Sequence, residues 1–166
     1  MRVEVLSESP EQTRALGAEL GRRLQPGDVV LLHGDLGAGK TTLTKGIAEG
    51  LGIADYVQSP TFTLVAEHAG RTSSGEPVIL FHLDLYRLSS APELESFGYE
   101  QFLAPVDGIT VIEWPERAEG WLPDAYLLVQ IEIAGPERRR ITIEAIPSEG
   151  HLADIVRDLA AAHATP

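Results

Sequence analysis

The sequence predicts an α/β fold, and three observations point to it. The apolar run Val29-Val30-Leu31-Leu32-His33 leads into the glycine-rich stretch Gly34-Asp35-Leu36-Gly37-Ala38-Gly39-Lys40-Thr41-Thr42, after which Leu43, Ile47 and Leu51 recur at helical spacing. Strand, loop and helix thus follow in the order of a phosphate-binding unit. Two further pairs of apolar runs are joined by links too short for a crossover helix, which predicts antiparallel pairing. Helical patterns flank these strands, at Leu16, Leu20 and Leu24 and again from His151 to Ala162.

The elements follow in order. Val3 to Leu6 reads as a short strand. Ser9-Pro10-Glu11-Gln12 reads as a helix start, with Ser9 as N-cap, Pro10 at the first helical position and Gln12 closing a capping box. Pro26-Gly27-Asp28 is a turn into the Val29 strand, and Gly52 stops the helix that follows the glycine loop. Phe62 to His68 and Val78 to Leu83 read as a hairpin across a polar turn from Gly70 to Pro77. Pro92-Glu93-Leu94-Glu95 opens a helix to about Leu103, and Ile109 to Ile112 is a short buried strand. Pro115 to Pro123 reads as a loop, and Tyr126 to Ile133 pairs with Arg139 to Ile146 across a turn at Gly135-Pro136. A terminal helix from His151 to Ala162 ends in a frayed tail, Ala164-Thr165-Pro166.

The 166 residues are read as one domain over 1–166, long enough to bury a core. The absence of cysteine excludes a disulfide framework and a thiolate metal site. No long uncharged apolar stretch spans a bilayer, and Met1-Arg2-Val3-Glu4-Val5 lacks a signal-peptide profile, so a soluble cytoplasmic protein is expected. The net charge of −12 argues against independent binding to nucleic acid or an anionic membrane, both of which need a basic footprint. Acidic charge that keeps the surface solvated accounts for most of it.

Residues 34–42 match G-x-x-x-x-G-K-[ST], a pattern that arises by chance in under about 1% of chains this long. The glycines let successive backbone N–H groups turn inward around anionic phosphates, where a Cβ would obstruct the approach. Lys40 places a point charge on the β- and γ-phosphates, and the Thr41 hydroxyl is the usual magnesium ligand. A nucleoside triphosphate with Mg²⁺ is therefore the expected ligand.

Triphosphate chemistry also needs a carboxylate that orients Mg²⁺ and a group that positions the nucleophile. In an open α/β sheet these sit at the carboxyl ends of strands. Asp84 and Glu113 meet that test. Either serves as the metal-linked acid with the other polarising water, and spacing alone does not divide the roles. Thr61 and Thr63 fall where the switch threonine of some phosphate-loop proteins reaches the γ-phosphate, although a plain loop fits them as well. Trp114 is open to three readings: a stack on a base, an anchor for a partner protein, or core packing. His33 and His82 flank no metal-ligand pattern and read as structural; Arg138-Arg139-Arg140, the only basic cluster, is open to contact with phosphate or a partner, with a solvated strand end the better reading.

Taken together, Gly34 to Thr42, Ser59-Pro60-Thr61-Phe62-Thr63-Leu64-Val65, His82-Leu83-Asp84-Leu85-Tyr86-Arg87-Leu88, Phe97-Gly98 after Glu93-Leu94-Glu95, and Glu113-Trp114-Pro115 resemble the TsaE family, small bacterial ATPases of tRNA threonylcarbamoyladenosine synthesis. Order and spacing agree from about residue 7 to 147. The resemblance implies a single P-loop domain with a central mixed parallel and antiparallel sheet flanked by helices, and ATP as the nucleotide. It implies that Thr41 and Glu113 are the magnesium ligands, that Asp35 and Gly37, Ala38, Gly39, Lys40, Thr41 and Thr42 belong to the nucleotide-contacting loop, that Asp84 is needed for hydrolysis, and that Trp114 lies near the nucleotide. It implies TsaB and TsaD as partners, with tRNA met only through that complex. Two other functions stay open on the residues alone: a small-molecule kinase, for which no lid module with clustered arginines is recognisable, and a nucleotide-gated binding module.

Overall fold

Residues Val29 to Leu32 are all buried, because a strand covered on both faces has no polar side to alternate with. That strand lies at the centre of a computed structural model, which describes residues 1–35, 37–53, 65–86, 98–103, 105–118 and 122–163. The elements are β1 (Arg2–Ser7), α1 (Pro10–Arg23), β2 (Val29–Gly34), α2 (Lys40–Gly50), β3 (Val65–Arg71), β4 (Pro77–Asp84), α3 (Glu100–Leu103), β5 (Gly108–Glu113), a 3-10 turn (Pro115–Ala118), β6 (Tyr126–Ile133), β7 (Arg139–Ile146) and α4 (His151–Ala162). One seven-stranded sheet runs β1-β7-β6-β2-β5-β4-β3. Strands β6, β2, β5 and β4 are mutually parallel, while β3, β7 and β1 pair antiparallel to their neighbours. The expected α/β architecture with a mixed sheet is what the chain adopts.

Alternation along the parallel strands builds two cores. Val30, Leu32, Leu80, Ile109, Val111 and Val129 meet α1, α2 and α4 on one face. Val29, Leu31, Leu83 and Ile112 meet Tyr99 and Phe102 on the other. Helices α1 and α2 touch backbone to backbone: a Cβ on Gly46 would stand 2.0 Å from the Arg14 carbonyl oxygen, and one on Gly17 2.3 Å from that of Leu43. This close approach fixes α2, and with it the loop at its N-terminus, against α1. Among the described residues no helix is long and apolar enough to cross a membrane.

Local signals placed most elements, with instructive departures. Ser9 Oγ accepts from the Gln12 N–H at 3.2 Å, but Gln12 Oε1 reaches back to the Glu8 N–H at 2.8 Å, one residue before the expected capping-box partner. Strand β3 continues through Gly70 and Arg71, so the hairpin turn is shorter than the 70–77 expected. Gly70 is no turn residue there: a Cβ would lie 2.5 Å from the Leu51 carbonyl, whose oxygen accepts from the Arg71 N–H at 2.6 Å. Pro115–Ala118 forms a 3-10 turn inside the segment expected to be a loop. The expected strand start at 62–64 and the helix opening at 92–97 lie outside the described residues; Glu100–Leu103 is helical as expected.

Candidate functional site

The carboxyl ends of β2, β4 and β5 open onto one cleft. After Gly34 the chain turns back, Ala38 N–H donating to the Asp35 carbonyl at 3.0 Å. Gly37 (φ +80°) and Gly39 (φ +109°) then take left-handed conformations that a side chain would strain. Lys40 opens α2 and is only 5% exposed. Its Nζ donates to the Gly34 carbonyl at 2.6 Å and lies 3.4 Å from the centre of the Trp114 ring, a cation–π contact. Burial lowers the Lys40 pKa, against the opposing pull of the Glu113, Glu116, Asp84 and Asp35 carboxylates.

Gly37, Gly39, Lys40, Thr41, Thr42, Asp84 and Glu113 line this cleft of about 280 Å³. The register of β4 and β5 sets Asp84 directly beside Glu113, so two acids 29 positions apart by number meet by strand pairing. Asp84 Oδ1 accepts from the Tyr86 N–H at 3.0 Å. Burial raises the Asp84 pKa, the Tyr86 hydrogen bond opposes that shift, and the Glu113 charge adds to it. Glu113 is 3% exposed, and its Oε2 lies 2.5 Å from Nε2 of His82, which is fully buried.

Trp114 breaks from β5 with φ +60°, a left-handed conformation that costs a non-glycine residue about 1–3 kcal/mol. The turn sets its ring over Lys40 and 4.9 Å from Tyr86, which itself faces Arg117. Of the three readings left open by sequence, the structure gives Trp114 packing contacts, with the site lysine among them. Asp35 supplies its carbonyl to the loop turn and its charge to Lys40, but it does not line the cleft. Thr61 and Thr63 lie outside the described residues.

A second cleft adjoins the first, bounded by Pro10, Thr13, Ala38, Thr42, Glu137 and Arg139. Arg139 is not a solvated strand end. Its guanidinium donates to the carbonyls of Ala38 (2.9 Å), Gly37 (3.3 Å) and Gly135 (3.0 Å). It thereby holds the carbonyls of the glycine loop from the side of β7. A signal for this was present: period-two alternation sets Arg139 on the same face as the core residues Ile141 and Ile143, and Arg140 on the other, where it meets Glu4 and Glu132. His82 carried no comparable sign, because only the pairing of β4 with β5 brings it to Glu113.

The hydroxyl and carboxylate oxygens of Thr41, Asp84 and Glu113 form a hard donor set. Among the described residues no group of three or more His, Cys, Asp or Glu side chains could hold a metal ion. The oxygen donors of Thr41, Asp84 and Glu113 are of the kind that Mg²⁺ takes, since it is usually bound by one or two carboxylates together with phosphates and water.

The family model for "Threonylcarbamoyl adenosine biosynthesis protein TsaE" matches residues 7–141. The chain belongs to the TsaE family. Its relatives include the tRNA threonylcarbamoyladenosine biosynthesis protein TsaE of Bacillus subtilis, 41% identical over 138 residues that span 83% of this chain and 82% of that one. The TsaE of Treponema pallidum is 38% identical, spanning 83% of this chain and 97% of its own. The crystal structure of Bacillus subtilis YdiB superposes with a TM-score of 0.73 at 33% identity, covering 99% of this chain and 97% of that one. In this TsaE chain the family match begins at the end of β1 and stops within β7, so it takes in every residue of the first cleft and leaves α4 outside.

Proposed function

We propose that this chain binds ATP with Mg²⁺ in the lysine-tipped cleft, hydrolyses it slowly, and serves as the ATPase accessory subunit for forming threonylcarbamoyladenosine at position 37 of tRNAs reading ANN codons, together with TsaB and TsaD. The observation that carries this reading is the meeting of Asp84 and Glu113 beside Lys40 and Thr41, in a chain whose relatives bear that biosynthetic name. Amides from Gly37 to Thr42 receive the phosphates, and Lys40 adds charge at the β- and γ-positions. Thr41 and Glu113 would hold Mg²⁺, which when bound neutralises charge on the transferring group. Asp84, a carboxylate made more basic by burial, accepts the proton of the water that attacks the γ-phosphorus as the bond to the β–γ bridging oxygen breaks. The second cleft, with Thr13 and Arg139 on its wall, takes the nucleoside end. An acidic chain of net charge −12 leaves tRNA to its partners and works in the cytoplasm.

Reconstitution tests this. The chain alone should release phosphate slowly, because no arginine finger faces the cleft among the described residues. Addition of TsaB and TsaD should accelerate release and yield modified tRNA over repeated cycles. Fast turnover indifferent to those proteins, or transfer of the γ-phosphoryl group to a metabolite, would contradict the proposal.

Arg139 supplies a further check. Hydrogen bonds to a charged group contribute about 1.5–3 kcal/mol, so an Arg139→Ala variant should bind ATP about tenfold or more weakly by calorimetry. Arg139→Lys should not restore affinity, since one ammonium cannot span carbonyls that a planar fork reaches together.

A further inference from the structure

We propose that His82 is the positioning residue for Glu113: its imidazole fixes the carboxylate in the orientation that receives the divalent cation. This rests on the reading of Glu113 as a magnesium ligand.

The placement of His82 is anomalous for a structural residue. Alternation along β4 puts Val78, Leu80, His82 and Asp84 on the helix-covered face, and the register partners of His82 are Ala66 and Val111. Apolar side chains fill the same face before it, and a leucine would pack there without polar cost. A fully buried imidazole loses its hydration, and a charge-assisted hydrogen bond is the natural compensation. That bond is the 2.5 Å contact with Glu113 Oε2. A carboxylate that binds metal carries no proton, so Nε2–H of His82 donates and Oε2 accepts.

The geometry also explains why such an anchor is needed. Asp84 and Glu113 stand side by side in register, and two adjacent carboxylates repel each other. Glutamate has a long, flexible side chain that would swing away from its neighbour. Each acid has an anchor of its own: Asp84 is held through the Tyr86 backbone N–H, Glu113 through His82. The anchors keep the two carboxylates from exchanging places, which divides the roles that spacing in the sequence left undivided. Hydrogen-bond partners that orient metal ligands are typically worth about 10–100-fold in metal affinity.

The test compares His82→Leu, which keeps bulk and loses the donor, with His82→Gln, whose amide nitrogen lies as many bonds from Cα as the imidazole Nε2. Mn²⁺ binding to the ADP complex is followed by electron paramagnetic resonance, and ADP binding in EDTA by calorimetry. The expected result is Mn²⁺ affinity reduced about 10–100-fold in the leucine variant and largely recovered in the glutamine variant, with ADP affinity in EDTA unchanged in both. Wild-type Mn²⁺ affinity in a folded leucine variant overturns the proposal. Should that variant fail to fold, the wild-type protein with ¹⁵N-labelled histidine decides: the His82 ring resonances should shift when Mg²⁺ joins the ADP complex, and their indifference to the metal overturns the proposal too. Failure of the wild-type chain to bind ADP in EDTA would bring down the nucleotide-site reading itself, an outcome distinct from both.

Discussion

A Lys40→Ala variant should remain folded and lose about 10–100-fold in ATP affinity by calorimetry, the equivalent of one charge-assisted contact of about 1.5–3 kcal/mol. The ammonium is already aimed along the loop by the Gly34 carbonyl and the Trp114 ring, so its contact with phosphate needs little reordering. Stability should not suffer in proportion. Burial lowers the Lys40 pKa, which means that folding works against the protonated form. By linkage, the wild-type chain gains stability as pH rises from the lowered pKa toward the ordinary lysine value, because over that interval the unfolded chain binds the proton more strongly. The alanine variant should lack this rise in a series of urea titrations. Unchanged ATP affinity would remove Lys40 from the binding site.

An Asp84→Asn variant should keep ATP binding and lose about 100-fold or more of the hydrolysis rate, the usual contribution of a positioned general base. The amide oxygen can still accept from the Tyr86 N–H that Asp84 engages, so the local turn survives. The same substitution should stabilise the fold at neutral pH. Burial raises the Asp84 pKa, so the ionised aspartate opposes folding above that pKa. The stability it contributes is complete below its unfolded value and is lost as pH rises through the folded one. The advantage of the asparagine should therefore be present at neutral pH and fade in acid. A variant less stable than wild type at neutral pH, or one with undiminished hydrolysis, would contradict this account. An acid kept in a costly environment is what a catalytic role would explain and a surface cap would not.

The strand that precedes the loop, the glycines at Gly37 and Gly39, and the helix opened by Lys40 were legible in the chain because each follows from local constraints. Positive φ demands glycine, a buried parallel strand is apolar throughout, and helical spacing repeats within a few residues. Asp84 and Glu113 were legible as strand-end acids for the same reason. Gly70 was misread because a glycine in a turn and a glycine beneath a crossing carbonyl look alike until the crossing chain, here at Leu51, is in place. Arg139 was misread because three adjacent arginines suggest solvent, whereas alternation sends the middle one to the core face and onto the loop 101 residues earlier.

By itself the sequence determined the family, the α/β class and the phosphate loop, since these rest on motifs and periodicities that span few residues. Only the tertiary structure decided that β4 lies beside β5, that Asp84 therefore stands against Glu113 with His82 as its support, and that Trp114 covers Lys40. Strand neighbours in this sheet are chosen by how distant segments share two cores and by how closely α1 and α2 approach. That choice is a property of the whole packed chain, and no single stretch of it carries the information.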